Sequence, residues 1–419
     1  MVDKYKGLFA ELTQKVLSHV PKNAPKDVKL FVEQFYAKMP LMDLEKIPAK
    51  EAYKIARSAY DFVQEREPGK PAVRIIRPTE KTHGWESNHT VIEVLNDDMP
   101  FLLDSITAEL TRQGFNFYET IHPVIQVERK KDGTLKQVCP FSEAVDIPKG
   151  QRHESLIHLQ ISALPSSTSE EQLSNDIIEL LTAVKLVVKD WQPMLSKAKD
   201  TIRRVGQLSE NFDADEVAEV KDLLQWLCEK NFVFLGYIEY DFYDKDGNEV
   251  LKPIDGSALG MMKADTLDLT PKGLEALPPE VLHFARVPQI VEITKSNRRS
   301  IVHRPVLMDY IGIKRFNDKG EVIGEARFLG LFTSIVYYQS ADRIPFIRRK
   351  IARTLVRANY DPMSHNGKSL KAILEFFPRD ELFQISEDDL FDFSIGIMSL
   401  EARPEVRLFV RKDAFERFM

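Results

Sequence analysis

The chain has 419 residues, of which 43% are hydrophobic and 29% are charged. This composition is typical of a folded protein of two to four domains and excludes general disorder. The net charge of −6 argues against a protein that wraps basic surface around nucleic acid, and no run of 18 apolar residues predicts a membrane span. The N-terminus lacks the apolar stretch of a secretory signal, and Cys139 and Cys228 match no metal-binding spacing. We therefore expect a cytoplasmic protein with reduced thiols.

Residues 1–70 predict a helical N-terminal segment. Apolar side chains recur at helical spacing in three stretches, at Leu8–Leu17, Val28–Tyr36 and Ala49–Val63. The Pro- and Gly-containing stretch 67–71 predicts a linker to the next domain.

Residues 71–205 predict an α+β module of the ferredoxin-like type. A β-rich run, a helix, two further β runs and a long helix follow one another as β-α-β-β-α. The predicted strands are 89–95, 115–129 and 153–161, and the predicted helices are 101–113 and 166–188. This plan needs one more strand. Ahead of the β-α-β-β-α run, residues 72–80 favour a short strand.

Residues 206–340 predict a mostly antiparallel sheet domain that follows a helix. The helix is predicted over 213–230, and the strands are predicted over 231–243, 249–251, 289–294, 301–315 and 323–336. Residues 341–400 predict a helical segment, with helices over 342–359, 369–377 and 386–399. The stretch 401–419 predicts an apolar strand followed by an amphipathic turn. Either it docks on an earlier sheet, or it is the start of a truncated further module and Met419 lies within a longer protein.

Several motifs that would indicate catalysis are missing or imperfect. No Gly-x-Gly occurs, so the usual dinucleotide fingerprint is absent. Gly367-Lys-Ser369 resembles the end of a P-loop but lacks the first glycine, and a polar turn that begins a helix explains it better. His153 and His158 imitate a zinc motif with the wrong spacing, on a strand that sends them to opposite faces. We therefore predict no catalytic residue, no metal site and no cofactor in this chain.

One loop, between the strand 89–95 and the following helix, is a candidate ligand site. It comprises Asn96, Asp97, Asp98, Met99 and Pro100. The unpaired N–H groups at a helix start favour a carboxylate, and Asp97 or Asp98 would hold the ammonium of an amino acid. The alternative is a simple helix cap by one of these aspartates, with Pro100 in the first turn. Gly114 suits the position after the helix, where a positive φ is needed.

The helix predicted over 342–359 carries a basic stripe. Arg349, Arg353 and Arg357 recur every four residues and therefore share one face. The acidic stretch 375–392 is the obvious partner, so we expect charge pairing within the chain or between subunits. Binding of an anion, a nucleotide or a nucleic acid remains the alternative.

Longer motifs resemble a known family. They are Asn96-Asp-Asp-Met-Pro-Phe-Leu-Leu-Asp-Ser105, Ile121-His-Pro-Val124, Phe234-Leu-Gly-Tyr237, Lys295-Ser-Asn-Arg-Arg-Ser-Ile-Val-His-Arg-Pro305, Asp309-Tyr-Ile-Gly-Ile-Lys314, Arg327-Phe-Leu-Gly-Leu-Phe-Thr-Ser334, Ile344-Pro-Phe-Ile-Arg-Arg-Lys350, Ser364-His-Asn-Gly-Lys368, Pro378-Arg-Asp-Glu-Leu-Phe-Gln384 and Arg407-Leu-Phe-Val-Arg-Lys-Asp413. From about residue 85 onwards, the chain resembles the N-terminal region of the large bacterial NAD-specific glutamate dehydrogenases. The resemblance implies ACT-like regulatory modules, one of them closer to a PAS-like sheet.

The resemblance also implies what lies outside this chain. The family's glutamate- and NAD-binding catalytic domain is downstream, so no catalytic residue carries over, and NAD is expected only for the parent enzyme. Amino-acid effectors of ACT domains bind near the loop after the first strand, often at a subunit interface, which maps to Asn96–Pro100 and Gly114. Phe101 departs from the common Asp-x-Pro-Gly loop and leaves less room for a ligand to approach the backbone. A homo-oligomer with an amino-acid effector is expected; a stand-alone sensor or a structural scaffold without ligand is the alternative.

Overall fold

The computed structural model describes residues 2–143, 147–165, 168–208, 212–245, 248–263, 275–276 and 286–401. The chain forms two compact units. The first comprises Met1–Lys185 and Ile301–Pro305, and the second comprises Leu186–Ser300 and Val306–Met419. None of the described helices has both the length and the apolar character that crossing a membrane requires.

The N-terminal segment of the first unit is helical, as predicted. Its helices are α1 (Val2–Leu17), α2 (Val28–Tyr36), α3 (Leu41–Leu44) and α4 (Ala49–Phe62). The apolar spacing that predicts α2 places Phe31 and Phe35 in the interior with no exposed surface.

Six described strands of the first unit form one antiparallel sheet. They are β1 (Ala72–Ile76), β2 (Thr90–Asp97), β3 (Phe117–Ile121), β4 (Val124–Arg129), β5 (Leu135–Val138) and β6 (Gln151–Ile161). The order is β1-β2-β6-β4-β5, and β3 also pairs with β6. The prediction of a single strand over 115–129 is wrong, because this stretch forms two strands, β3 and β4, that are separated by His122 and Pro123. Proline has no N–H to donate to a neighbouring strand.

The strand β1 occupies the place beside β2 that the fourth strand of a ferredoxin-like sheet would take. It pairs antiparallel with β2, on the side away from β6. The missing strand of the predicted plan is therefore supplied by the start of the module rather than by its end. The helices of this part are α5 (Glu80–His83), α6 (Leu102–Arg112) and α7 (Glu170–Val205), and α7 is longer than predicted.

The core of the first unit lies between the N-terminal helices and one face of this sheet. Side chains from α2 and α4 share a buried cluster with Val91, Leu95 and Leu156 of the central strands. Because alternate residues of a strand share a face, Glu93, Asp97 and Glu154 point to this same side. The helical face of the sheet is therefore both apolar and charged.

The second unit contains a second antiparallel sheet, preceded by helix α8 (Ala214–Trp226) and a π turn (Leu227–Asn231). Its described strands are β7 (Phe232–Lys245), β8 (Asn248–Pro253), β9 (Leu259–Gly260), β10 (Glu275–Ala276), β11 (Val291–Arg299), β12 (Leu307–Phe316) and β13 (Val322–Phe332). The order is β10-β8-β7-β13-β12-β11, and β9 also pairs with β7. The strand predicted over 301–315 starts only at Leu307, since 301–305 belongs to the first unit.

Helices follow the second sheet and share its core. They are α9 (Ser334–Tyr338), α10 (Ile347–Arg357), α11 (His365–Phe376), α12 (Arg379–Gln384) and α13 (Glu387–Glu401). Gly367 donates its N–H to the Ser364 hydroxyl at 3.0 Å in the first turn of α11, so the P-loop-like stretch begins a helix as predicted. The stretch 402–419, with most of the predicted further module, lies outside the described residues.

Candidate effector site

The predicted effector loop joins β2 to α6. Asp97 is the last residue of β2, and the N–H of Asp98 donates to the carbonyl of His153 at 3.2 Å. Helix α6 begins at Leu102, with Phe101 as its N-cap. The expectation that Asp97 or Asp98 caps this helix is therefore wrong. Strand β2 stays paired with β6 through Asp97, so residues 98–101 form the turn and the helix starts only after them.

Phe101 adopts the left-handed conformation, with φ at 72°. A glycine takes this conformation without strain, whereas a bulky residue held there costs about 1–3 kcal/mol. The common ACT loop has a glycine at this position. Phe101 therefore adopts the left-handed conformation that a glycine would take there. The carbonyl of Phe101 accepts hydrogen bonds from the backbone N–H of Ser105 at 3.1 Å and from its hydroxyl at 2.5 Å.

The segment Ile301–Pro305 of the same unit lies against the first turn of α6. The N–H of His303 donates to the Ser105 hydroxyl at 2.9 Å, and its Nδ1 lies 3.1 Å from Asp104 Oδ2. The His303 and Phe101 rings are 5.1 Å apart between centroids. A ligand at this helix start would share the turn with His303.

The first candidate carboxylate, Asp97, is already paired. Its Oδ1 accepts a hydrogen bond from Arg66 Nη1 at 2.8 Å. Partial burial opposes its ionisation, but the hydrogen bond and charge of Arg66, helped by Lys185 and Arg152, hold the pKa of Asp97 below its usual range. Asp97 is thus an ionised partner of a buried arginine.

The same arginine binds a second carboxylate directly across the sheet. Glu154 is the register partner of Asp97, and its side chain is fully buried. Its Oε1 accepts from Arg66 Nη1 at 2.9 Å and from Arg129 Nε at 2.8 Å, and its Oε2 accepts from Arg129 Nη2 at 2.7 Å. Two like charges side by side would repel each other, and the two arginines remove that cost.

The remaining predicted residues differ in accessibility. Asn96 is buried and donates from Nδ2 to the carbonyl of Asp97 at 3.2 Å, Met99 is half-buried, and Pro100 is exposed. Asp98 is exposed, and its carboxylate makes no hydrogen bond or ion pair with the described residues. Gly114 has φ at 88°, as predicted, but it follows the other end of the 11-residue α6, about 16 Å from the loop at ~1.5 Å per residue.

The residues of the zinc-like motif have separate structural partners. His158 Nδ1 lies 3.0 Å from Glu93 Oε1, and His153 stacks on Phe141 with centroids 5.2 Å apart. Arg74 also binds Glu93; burial opposes ionisation of Glu93, but His158 and Arg74 together lower its pKa. Across the described residues, no three His, Cys, Asp or Glu side chains are grouped as a metal site.

The basic helix α10 pairs with acidic residues at the start of α13. Arg353 Nη1 lies 2.6 Å from Glu387 Oε1, and Arg357 Nη1 lies 2.5 Å from Asp388 Oδ1. Arg349 makes no ion pair with the described residues. The sequence interpretation missed the ion pair of Arg348. Its Nη2 lies 2.8 Å from a carboxylate oxygen of Glu219 on helix α8.

Lys350 on the same helix has a different role. Its Nζ donates to the carbonyls of Leu382, Phe383 and Ile385, at 3.0, 2.9 and 2.7 Å. These carbonyls end helix α12, where intrahelical donors are lacking. Burial lowers the pKa of Lys350 to about 8, against a smaller opposing effect of Glu387. The lysine thus joins α10 to the end of α12.

A cavity of about 520 Å³ lies in the second unit, between the end of α7 and strands β12 and β13. Its cations are paired: Arg204 with Glu239 at 3.2 Å and Arg315 with Asp241 at 2.5 Å. Lys314 lies 2.6 Å from Glu325. The wall of the cavity is therefore polar, and each of these three cations is neutralised by a carboxylate.

Two regions of the chain match domains of known proteins, and these matches define the class of protein. Residues 31–177 match the glutamate dehydrogenase ACT1 domain, and residues 344–403 match helical motif 1 of glutamate dehydrogenase. The ACT1 match contains the whole first sheet, the loop after β2 and helix α6. The first unit therefore carries an ACT domain of the glutamate dehydrogenase type.

The particular family follows from the relatives. The chain is 36% identical over 98% of its length to the NAD-specific glutamate dehydrogenase of Halomonas elongata, and 35% identical over 97% to that of Pseudomonas aeruginosa. A 24% identity over 78% of the chain relates it to the NAD-specific glutamate dehydrogenase of Mycobacterium tuberculosis. The chain spans about a quarter of the length of the first two relatives. It belongs to the NAD-specific glutamate dehydrogenase family and corresponds to its N-terminal region.

Proposed function

We propose that this chain is the regulatory and oligomer-building N-terminal region of a large NAD-dependent glutamate dehydrogenase. The single observation that carries the proposal is the match over 98% of the chain, with an ACT1 domain inside it. The parent reaction would convert L-glutamate, NAD and water to 2-oxoglutarate, ammonia and NADH in the cytoplasm. NAD and glutamate would be bound by the part of the parent enzyme outside this chain.

The catalytic part of the proposal is tested with the chain alone. The purified chain is mixed with glutamate and NAD, and NADH is followed by its absorbance. No turnover is expected, because the matched domains are an ACT domain and a helical motif. Glutamate-dependent formation of NADH by this chain would overturn the assignment of roles.

The regulatory part concerns an amino-acid effector at Asn96–Pro100. Because Asp97 is paired with Arg66, the exposed carboxylate of Asp98 is the better partner for the effector's ammonium. The effector would act by binding one state of the enzyme more tightly than another, a coupling of about 1–3 kcal/mol in typical cases.

A calorimetric screen of the twenty amino acids against the chain tests this site. Binding by one or a few is expected, and Asp98→Asn should weaken it at least tenfold. Glu45→Gln, on the exposed end of α3, is the matched control and should leave binding unchanged. Equal loss in both variants, or binding unaffected by Asp98→Asn, would place the effector elsewhere.

The contacts of the loop also support the alternative, a scaffold that binds no ligand. His303 already lies against the first turn of α6, and Asp97 is already neutralised. A screen without binding at millimolar concentration would favour the scaffold.

Oligomer formation is proposed through the edges of the sheets. Among the described strands, β1 pairs only with β2 and β3 pairs only with β6, and such unpaired edges are suited to pairing with a second copy. Sedimentation of the purified chain should show a dimer or larger species. A strict monomer at high concentration would contradict this part.

A further inference from the structure

The cavity between the end of α7 and strands β12 and β13 has room for a small molecule. Its volume of about 520 Å³ lies within the ~300–1,000 Å³ that is usual for ligand sites. Three apolar side chains with accessible surface line it: Leu208 and Phe316 are half-buried, and Ile323 is 37% exposed. Contact with these side chains would remove apolar surface from water, so the cavity favours a ligand with an apolar body.

Two arginines on the wall of the cavity have donors within reach of a ligand. The side chain of Arg204 is 40% exposed, and that of Arg315 is 23% exposed. Arg315 Nη2 makes no hydrogen bond with the described residues and is not enclosed by the protein. Arg204 Nη1 and Nη2 donate to Glu239 and Thr201, and each of these nitrogens carries a second N–H. The wall therefore offers accessible guanidinium donors.

Both guanidinium groups are held in place by the second unit itself. Arg204 Nη1 lies 3.2 Å from Glu239 Oε2, and its Nη2 donates to the Thr201 hydroxyl at 3.1 Å. Arg315 Nη1 donates to Asp241 Oδ1 at 2.5 Å and to the carbonyl of Tyr240 at 3.3 Å. Side chains that are ordered before a ligand arrives lose little conformational freedom when it binds, so these two arginines are preorganised.

The group of charges around Glu239 has one cation more than it has carboxylates. Besides Arg204, Glu239 has Arg315 Nε and Lys197 Nζ, each at 3.7 Å from one of its oxygens. Asp241, the partner of Arg315, is the second carboxylate of this group. Three cations therefore share two carboxylates, and the surplus positive charge favours an anion.

The other charges at the cavity do not cancel this surplus. Lys314 and Arg327 are balanced by Glu325, at 2.6 and 2.9 Å, and by Glu292, which lies 3.8 Å from Lys314. Asp318 is exposed on the turn after β12, where solvent screens its charge. The positive pole of the cavity therefore remains at the two arginines.

We propose that this cavity binds a small monocarboxylate with an apolar body. The carboxylate would accept hydrogen bonds from Arg204 and Arg315, whose planar groups match its two oxygens in direction and charge. The apolar body would contact Leu208, Phe316 and Ile323. The inference goes beyond the proposed function, because it concerns a site in the second unit, whereas the effector loop belongs to the first.

Titration calorimetry of the purified chain with sodium hexanoate tests the proposal. Saturable binding is expected, with a dissociation constant of about 1 mM. The absence of saturable heat at hexanoate concentrations about fiftyfold higher would overturn the site.

Two further probes separate the charge of the ligand from its apolar body. Hexanamide keeps the body without the charge, and sodium acetate keeps the charge without most of the body. Each should bind about tenfold more weakly than hexanoate, or weaker still. Hexanamide that binds as tightly as hexanoate would overturn the carboxylate assignment. Acetate that binds as tightly would overturn the apolar contact.

Variants of the two arginines place the ligand in this cavity. Arg204→Gln and Arg315→Gln should each weaken hexanoate binding about tenfold, the usual effect of losing a hydrogen bond to a charged group. The matched control is Arg203→Gln: its side chain is 77% exposed, pairs with Asp200 within α7 and does not line the cavity. This control should bind hexanoate as the unaltered chain does. Hexanoate binding that survives both changes at the wall would overturn the proposal.

A change at the mouth of the cavity keeps the test decisive if an arginine variant fails to fold. Ile323→Ser alters a partly exposed side chain and no ion pair, and circular dichroism establishes that each variant is folded. It should weaken hexanoate and hexanamide by similar factors, because both ligands lose the same apolar contact. Unchanged hexanoate binding by the folded Ile323→Ser variant would contradict the proposed place of the apolar body.

The two binding proposals fail separately. Hexanoate binding that depends on Arg204 and Arg315 would support the cavity even if no amino acid binds at the effector loop. Amino-acid binding that depends on Asp98, without any hexanoate binding, would support the loop and overturn the cavity.

Discussion

The substitution Glu154→Gln probes the buried ion network between β2, β4 and β6. Glu154 has no exposed side-chain surface, and its two arginine partners are each only 2% exposed. A glutamine keeps the shape but loses the charge, and its amide NH₂ then faces guanidinium donors. Only Asp97, itself partly exposed, remains to balance two buried arginines.

The expected cost follows from this arrangement. Breaking a buried ion pair by removing one partner costs about 3–5 kcal/mol, because the remaining charge stays buried without compensation. For a unit of this size, that corresponds to a fall in melting temperature of roughly 6–20 °C. The retained Asp97 pairing places the expectation in the lower half of the range.

Hydrogen exchange measured by mass spectrometry in increasing urea gives the opening free energy of the first unit by itself. Peptides that cover β2 and β6 report the effect of Glu154→Gln. The matched control is Glu80→Gln in the same unit: its carboxylate accepts from Lys54 Nζ at 2.6 and 2.9 Å but is exposed, so a change of less than about 1 kcal/mol is expected. A Glu154→Gln cost as small as the control's would refute the argument that burial gives this network its strength.

Three further predictions concern backbone conformation, helix capping and pH. Gly114→Ala should cost about 1 kcal/mol in urea unfolding, because φ is 88° while no atom crowds a new Cβ. Lys350→Met should lower the unfolding free energy by about 2–4 kcal/mol in the same assay, because three carbonyls at the end of α12 lose their donor. The control Arg349→Met, at a neighbouring residue that makes no ion pair with the described residues, should change the unfolding free energy little. Burial raises the pKa of Asp309 from 3.8 to about 6, so its stabilising contribution is complete below pH 3.8 and is lost as pH rises through 6. The unfolding free energy relative to Asp309→Asn should therefore fall by roughly 3 kcal/mol between pH 3.5 and 7, and an unchanged difference would contradict the assignment.

Local patterns in the sequence predicted the elements whose apolar spacing is regular. The helices α2 and α4 and the strands β2 and β6 follow directly from periods of 3.6 and 2. The pairing of β1 with β2 could not be predicted, because the sequence of a five-residue strand does not indicate which strand it will pair with. The strand predicted over 301–315 failed for a related reason: β-formers in 301–305 leave the sheet and pack in the first unit instead.

The candidate loop was found in sequence, but its chemistry was not. Asp97 follows a strand and precedes a helix, which predicts a cap or a ligand contact. Its actual partner, Arg66, is 31 residues earlier, and Glu154 is 57 residues later. Only the register of β2 against β6 places the two carboxylates side by side, and register depends on the packed sheet. Long-range ion pairs of this kind leave no local pattern.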